Sequence, residues 1–216
     1  MEFLPSFPTF LAFAAATLLL AATPGPDMTL SISRALRDGR SAGLAVLLGT
    51  NIGCAVHTML VAFGVSALVI ASPTAFMILK TGGAAYLFWL AVQALRYGST
   101  FRVEVRAGTE TAGSSPAAAV WTGIVVNLLN PKVIIFFMTF LPQFVSASDP
   151  HVTGKLFVLG MTFIVVSLPV TVGVVLAADR LSAWLLRNPG VVRAIDYTFA
   201  AVFSLFAVKI LFTQAR

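Results

Sequence analysis

Charge is scarce in this chain of 216 residues. Asp, Glu, Lys and Arg make up 10% of it, where a soluble domain carries about 25%. So few charged groups cannot cover a globule in water, which excludes a water-soluble enzyme, a disordered protein and an extended nucleic-acid binder. Cysteine is scarcer still. Cys54 stands alone, so there is no internal disulfide, no CxxC redox pair and no thiolate metal cluster. Two histidines, His57 and His151, do not make a ligand set, and no metal or cofactor is expected. A phosphate-binding GxxxxGK[ST] loop is also missing, since Gly154-Lys155 is followed by Leu156, and with it any recognisable ATPase.

What the chain has in abundance is apolar sequence. Hydrophobic residues are 58% of it and mean hydropathy is +0.95. That is the composition of an integral membrane protein, all-α, with the lipid bilayer as its surroundings. At about 20 residues per span there is room for six helices and short loops, and none for a soluble domain. The net charge of +6 does not point to nucleic acid, because the 18 phenylalanines lie in apolar runs and are not interleaved with basic residues. Basic residues in such a protein mark cytoplasmic loops.

Charge-free stretches set the expected spans. Residues 3–26 carry no charge; after Asp27 the apolar pattern continues to Arg34, Arg37, Asp38 and Arg40. Residues 41–79 are charge-free, with Ser72-Pro73 dividing a second span from a third that ends at Arg96. Residues 97–115 read as the longest loop, and further spans are expected over about 117–141, 155–178 and 195–212. The first segment lacks the basic start of a signal peptide, Glu2 being its only early charge, and is expected to be a retained helix. With the N-terminus outside, the inner loops 34–40, 96–115 and 179–194 hold nine Lys/Arg and the outer segments three, Lys155, Lys209 and Arg216. This bias predicts both termini outside. Lys80 is expected to snorkel from the third span.

The chain also repeats itself. GLAVLLG at 43–49 resembles GKLFVLG at 154–160, with both glycines in register; Pro24-Gly25-Pro26-Asp27 precedes the first and Asn130-Pro131-Lys132 the second. The offsets are 111 residues for the glycines and 107 for Pro24 and Pro131. Repeat one is expected over about 5–96 and repeat two over about 116–213, in one transmembrane domain. Three spans per repeat would set the copies in opposite orientation, the inverted-repeat design of secondary transporters. Helices one and four are expected to be broken at Pro24-Gly25-Pro26 and at Pro131. Pro24 lies ten residues, or about 15 Å of helix, from Arg34, which places the break near the bilayer midplane. Freed backbone groups are tolerated at that depth only in a cavity or inside protein.

Asp27 and Lys132 each follow a break inside an apolar span. An ionisable group there costs roughly 2.5–3.5 kcal/mol on insertion scales and is a functional candidate by default. Two bland roles stand beside that one: a buried ion pair, or Asp27 as a helix cap. Asn127 and Asn130 suit a substrate's carboxylate or amine, or helix–helix hydrogen bonding. Thr50, Gly53 and His57 share a helix face, with Asn51 beside them; Gly49 and Gly53 permit close packing. His57 suits a proton relay or a structural hydrogen bond.

Those residues carry a resemblance. TPGPDMTLSISRALRDGRSAGLAVLLG, the helix-two histidine, LKTGGAAYLFWLAVQALR and VNLLNPKVIIFFMTFLPQF resemble the LysE/RhtB family of lysine and homoserine/threonine exporters, over about residues 8–212. The resemblance implies a small bacterial inner-membrane exporter of amino acids or related metabolites, driven by the proton gradient. The residues themselves point the same way: Asp27 can meet a substrate ammonium, and Lys132, the asparagines and half-helix amides its carboxylate. Substrate, protons and lipid are the expected partners, and a homo-oligomer is compatible with them. Two other classes are weighed. A passive channel wants a continuous polar stripe, where this sequence has isolated polar positions. A membrane-embedded enzyme lacks the thiols and ligands its chemistry needs.

Overall fold

A computed structural model describes residues 6–72, 74–79, 81, 82, 85, 88, 89, 92, 115–146 and 149–214. About half of the expected third span is described, beginning with a helical stretch over 74–79 that follows Ser72, whose hydroxyl accepts from Ala75 N at 3.1 Å; Pro73, Lys80, Arg96 and the loop with Arg102 and Arg106 lie outside those residues. Everything regular among the described residues is helical, with no strand.

Proline, which ends helices from within, here begins them. It occupies the first or second position of α1 (Phe7–Ala22), α2 (Pro26–Asp38), α5 (Pro116–Leu128), α6 (Pro131–Ile135) and α9 (Pro189–Gln214), where its missing N–H has no intrahelical partner to lose. Ser6, Ser115 and Asn130 cap three of these starts, their side-chain oxygens accepting from Thr9 N at 3.4 Å, Ala118 N at 3.2 Å and Lys132 N at 3.0 Å.

Between them, α3 (Arg40–Leu60) widens into a π-type turn at Val61–Val65 and runs on as α4 (Ser66–Ala71). A second π-type turn, Phe136–Phe140, and a tight turn, Leu141–Phe144, extend α6. Next come α7 (Val152–Leu176) and α8 (Ala178–Arg187). Two stretches expected as inner loops are therefore helical. Residues 34–38 form the last turn of α2, with Arg34 paired to Asp38 at 3.0 Å, and 178–187 form α8. Charge density misled the reading, because an amphipathic helix carries charge on one face: Ser182 and Leu185 are buried in α8 while Asp179, Arg180 and Arg187 are exposed.

Arg40–Leu68 and Val152–Leu176 are each long and apolar enough to cross a membrane. Two bent pairs pass the same test together: α1 with α2, bent by 50°, and α5 with the segment Pro131–Phe144, bent by 55°. The breaks expected at Pro24-Gly25-Pro26 and Pro131 thus occur, with the helices ending at Ala22 and Leu128 and restarting at Pro26 and Pro131. Large apolar side chains face outward, among them Trp121 at 66% and Leu129 at 72% exposure. Water would not tolerate such a surface, and hydrocarbon covers it without cost.

At the centre, α3 packs against α2, α5 and α7. Its contact with α5 is backbone on backbone. A Cβ on Gly49 would lie 2.0 Å from Val120 O, and one on Gly123 2.2 Å from Val46 O. Small residues let membrane helices approach this closely. A single residue, Gly39, joins α2 to α3 at φ 90°, ψ 164°, a region open in practice to glycine alone. Gly39→Ala is expected to cost about 1–3 kcal/mol, read as a lower unfolding midpoint of the purified protein in detergent.

Candidate functional site

The two breaks meet. Each leaves carbonyls at the end of its first half-helix without the usual donor four residues on. Proline deepens the deficit: Pro24 has no N–H for Leu20 O, and Pro131 none for Asn127 O. Three-residue turns fill part of the gap, Thr23 N donating to Leu20 O at 3.3 Å and Asn130 N to Asn127 O at 3.0 Å, and distant side chains add to them. The Lys132 ammonium donates to Leu20 O at 2.9 Å and Thr23 O at 2.7 Å. His57 Nε2 lies 3.4 Å from Asn127 O; a carbonyl only accepts, so this bond requires the tautomer with its proton on Nε2. Thr23 closes the remaining turn, its N–H and hydroxyl both donating to Leu19 O.

Asp27 and Lys132 occupy the same local position, second in the half-helix that follows each break. A carboxylate there is favoured by the dipole of its own helix, whereas an ammonium there is not. Lys132 reaches instead to the C-terminal end of α1, where a cation is favoured. Asp27 reaches the other way. Its Oδ2 accepts from Asn127 Nδ2 at 2.6 Å and its Oδ1 from Asn130 Nδ2 at 2.9 Å. Both asparagines are almost wholly buried, at 1% and 3% exposure. Asn130 is oriented from both ends, because its Oδ1 caps Lys132 N. Asn127 Oδ1 accepts from the Cys54 thiol at 3.7 Å.

Asp27 and Lys132 line one cavity with Gly25, Thr50, Asn51, Asn127 and Asn130. Its volume of about 90 Å³ corresponds to about three waters at liquid density. Its lining combines the carboxylate, the ammonium and the amides with apolar Leu20, Met28, Leu47 and Val133. Thr50 and Asn51 both donate to Leu47 O, at 2.9 and 2.7 Å.

Other expected residues stand behind the wall. Pro24, Pro26 and Pro131 shape the breaks and do not line the cavity, nor does His57, which is buried against Asn127 O with its ring 5.7 Å from that of Phe137. Gly53 explains how α3 accommodates the site: a Cβ there would lie 2.4 Å from Asn127 Oδ1.

Sequence reasoning missed the α7 contribution. Phe163, Ser167, Thr171, Val174 and Val175 line the cavity, as do Ser31 and Cys54. The signal was available: Phe163, Ser167 and Thr171 recur every four residues, with Pro169 between the two hydroxyls. On the far side of the breaks the cavity gives way to packed phenylalanines. Phe163 lies 5.1 Å from Phe136 and 5.0 Å from Phe137, and Phe13 lies 5.2 Å from Phe144, ring to ring. No group of His, Cys, Asp and Glu among the described residues could hold a metal ion.

Comparison with known proteins gives concordant results. A family model described as LysE type translocator matches residues 18–214. The homoserine/homoserine lactone efflux protein of Salmonella typhimurium is 32% identical over 211 residues, 98% of each chain. An uncharacterized membrane protein of Vibrio cholerae is 32% identical over 194 residues, 90% of this chain and 92% of its own. The leucine efflux protein of Salmonella typhimurium is 30% identical over 151 residues, 69% of each. No solved structure matches the chain.

Proposed function

Because the chain belongs to the LysE type translocator family, we propose that it exports a small amino acid or related metabolite across the bacterial inner membrane, in exchange for protons. The observation that carries this reading is the cavity at the junction of two broken helices, with a carboxylate, an ammonium and two buried amides in its wall. A zwitterion needs an anion for its ammonium and donors for its carboxylate. Asp27 is the proposed anion, Asn127, Asn130, Thr50 and Asn51 frame the rest, and Lys132 holds the first break in place. Gly25 keeps the wall thin, Pro24, Pro26 and Pro131 keep the breaks open, and His57 holds Asn127 from behind. Asp27 exchanges its two amide donors for a proton or a substrate ammonium. One group serving both in turn is what couples them.

The proposed frame is six spans in two inverted repeats. The matched positions of Pro26-Asp27 and Pro131-Lys132 and the similar bends of 50° and 55° support it. With both termini outside, the cavity occupies the inner half of the bundle, towards Ser31, Leu47 and Val175, and the phenylalanine cluster closes the outer half. This is an inward-facing carrier. Its orientation is tested by cysteines at Pro150 and Ser115, both away from the cavity. An impermeant maleimide is expected to label Pro150→Cys in intact cells and to spare Ser115→Cys, with the buried Cys54 silent; the reverse pattern inverts the topology.

The function itself is tested by counterflow in proteoliposomes against a panel of amino acids that includes homoserine and leucine, the substrates in its relatives' names. Counterflow of at least one, with substrate-driven proton movement, is the expected result. Proton-independent flux that does not saturate would instead make the protein a passive channel.

A further inference from the structure

Lys132 is the group whose contacts depart most from a substrate ligand. Its ammonium lies 2.9 Å from Leu20 O and 2.7 Å from Thr23 O, two carbonyls at the broken end of α1. Leu20 O loses its four-residue donor to Pro24 and keeps a longer bond from Thr23 N at 3.3 Å. The lysine stem passes over Gly25, whose Cβ position lies 3.6 Å from Lys132 Cδ and 3.7 Å from Nζ. Carbonyls at the C-terminal end of a half-helix form a cation site, the kind that holds a coupling metal ion in other carriers with broken helices. Here a side chain from the other half of the protein supplies the cation.

We propose that the Lys132 ammonium is a tethered cation filling the carbonyl site at the end of α1. It makes Lys132 a positioning residue for the first break, and the site will take a free primary alkylammonium ion once the tether is cut. The inference rests on the geometry of the break and holds whichever solute is exported. Two features specify the ligand class. The carbonyls accept and cannot donate, so the ligand must be a donor. The lysine brings three N–H groups on one nitrogen, so a primary ammonium fits where a quaternary one cannot donate.

The test uses the purified full chain in detergent. Lys132→Ala is expected to lower the unfolding midpoint. Ethylammonium chloride should then recover most of that loss, and tetramethylammonium chloride at equal ionic strength should not. Wild-type protein, its site filled, should respond equally to both salts. An unchanged midpoint in Lys132→Ala, or equal recovery by the two salts, overturns the proposal.

A second variant covers failure to fold. Pro24→Ala returns a backbone N–H to Leu20 O, so Pro24→Ala with Lys132→Ala should accumulate and unfold at a higher midpoint than Lys132→Ala alone. No gain from Pro24→Ala overturns the proposal as well. Counterflow with homoserine and leucine separates positioning from ligation. Lys132→Ala should lower the maximal rate and leave KM within about twofold, with ethylammonium restoring the rate; a KM raised by about tenfold or more with an unchanged midpoint makes Lys132 a substrate ligand.

Discussion

Asp27→Asn is expected to abolish proton-coupled export while leaving the protein in the membrane. The carboxylate offers two oxygens to two amide donors, Asn127 Nδ2 at 2.6 Å and Asn130 Nδ2 at 2.9 Å. An asparagine has one oxygen. One donor keeps its partner and the other meets an NH₂ group, a buried mismatch of about 1–3 kcal/mol. The fold can absorb that, because α2 is anchored through Ile32 and Ala35 against Leu47 and Val175, away from the break. Transport cannot absorb it. The variant has no group that alternates between a proton and a substrate ammonium, so substrate-driven proton flux should fall to background. Asp27→Glu keeps the ionisable group and should retain part of the flux. Normal coupled export by Asp27→Asn would reduce Asp27 to a helix cap and remove the proposed mechanism.

Gly49→Leu is expected to eliminate folded protein altogether. The new side chain would begin 2.0 Å from Val120 O and 2.9 Å from Ile124 N. Those are backbone atoms of a regular helix, so no rotamer change relieves the clash and α3 must move off α5. Even Gly49→Ala should exceed the cost of ordinary overpacking, about 1–3 kcal/mol, because the obstacle cannot move aside. Separating the helices would also withdraw Gly53 from Asn127 and His57 from Asn127 O, contacts that hold the site from behind. The measurement is the yield of monodisperse protein after detergent extraction, with exposed Leu48→Ala as a control that should extract normally. Normal yield of Gly49→Leu would mean that the close crossing of α3 and α5 does not hold the bundle together.

Membrane residence, the two helix breaks and the charged residues beside them were legible in the amino-acid sequence, each for a local reason. Hydrocarbon admits few charges, so composition alone placed the chain in a bilayer. Proline removes a donor wherever it stands, so Pro24 and Pro131 marked the breaks without reference to neighbours. Asp27, Lys132, Asn127 and Asn130 stood out because polar groups are rare in apolar runs. The short helix α8 was hidden by the charges that make it amphipathic.

Partnership was decided only by tertiary structure. Nothing local tells that Lys132 reaches Leu20 and Thr23, more than a hundred residues away, or that Asn127 and Asn130 hold Asp27. Nor does it tell that His57 reaches Asn127 O, a carbonyl to which Pro131 cannot donate, or that Ser167 and Thr171 line the cavity. A proline determines that a carbonyl will want a donor. Which side chain supplies it depends on where the crossing of α3 and α5 at Gly49 and Gly123 brings the two halves together, and that geometry belongs to the packed chain.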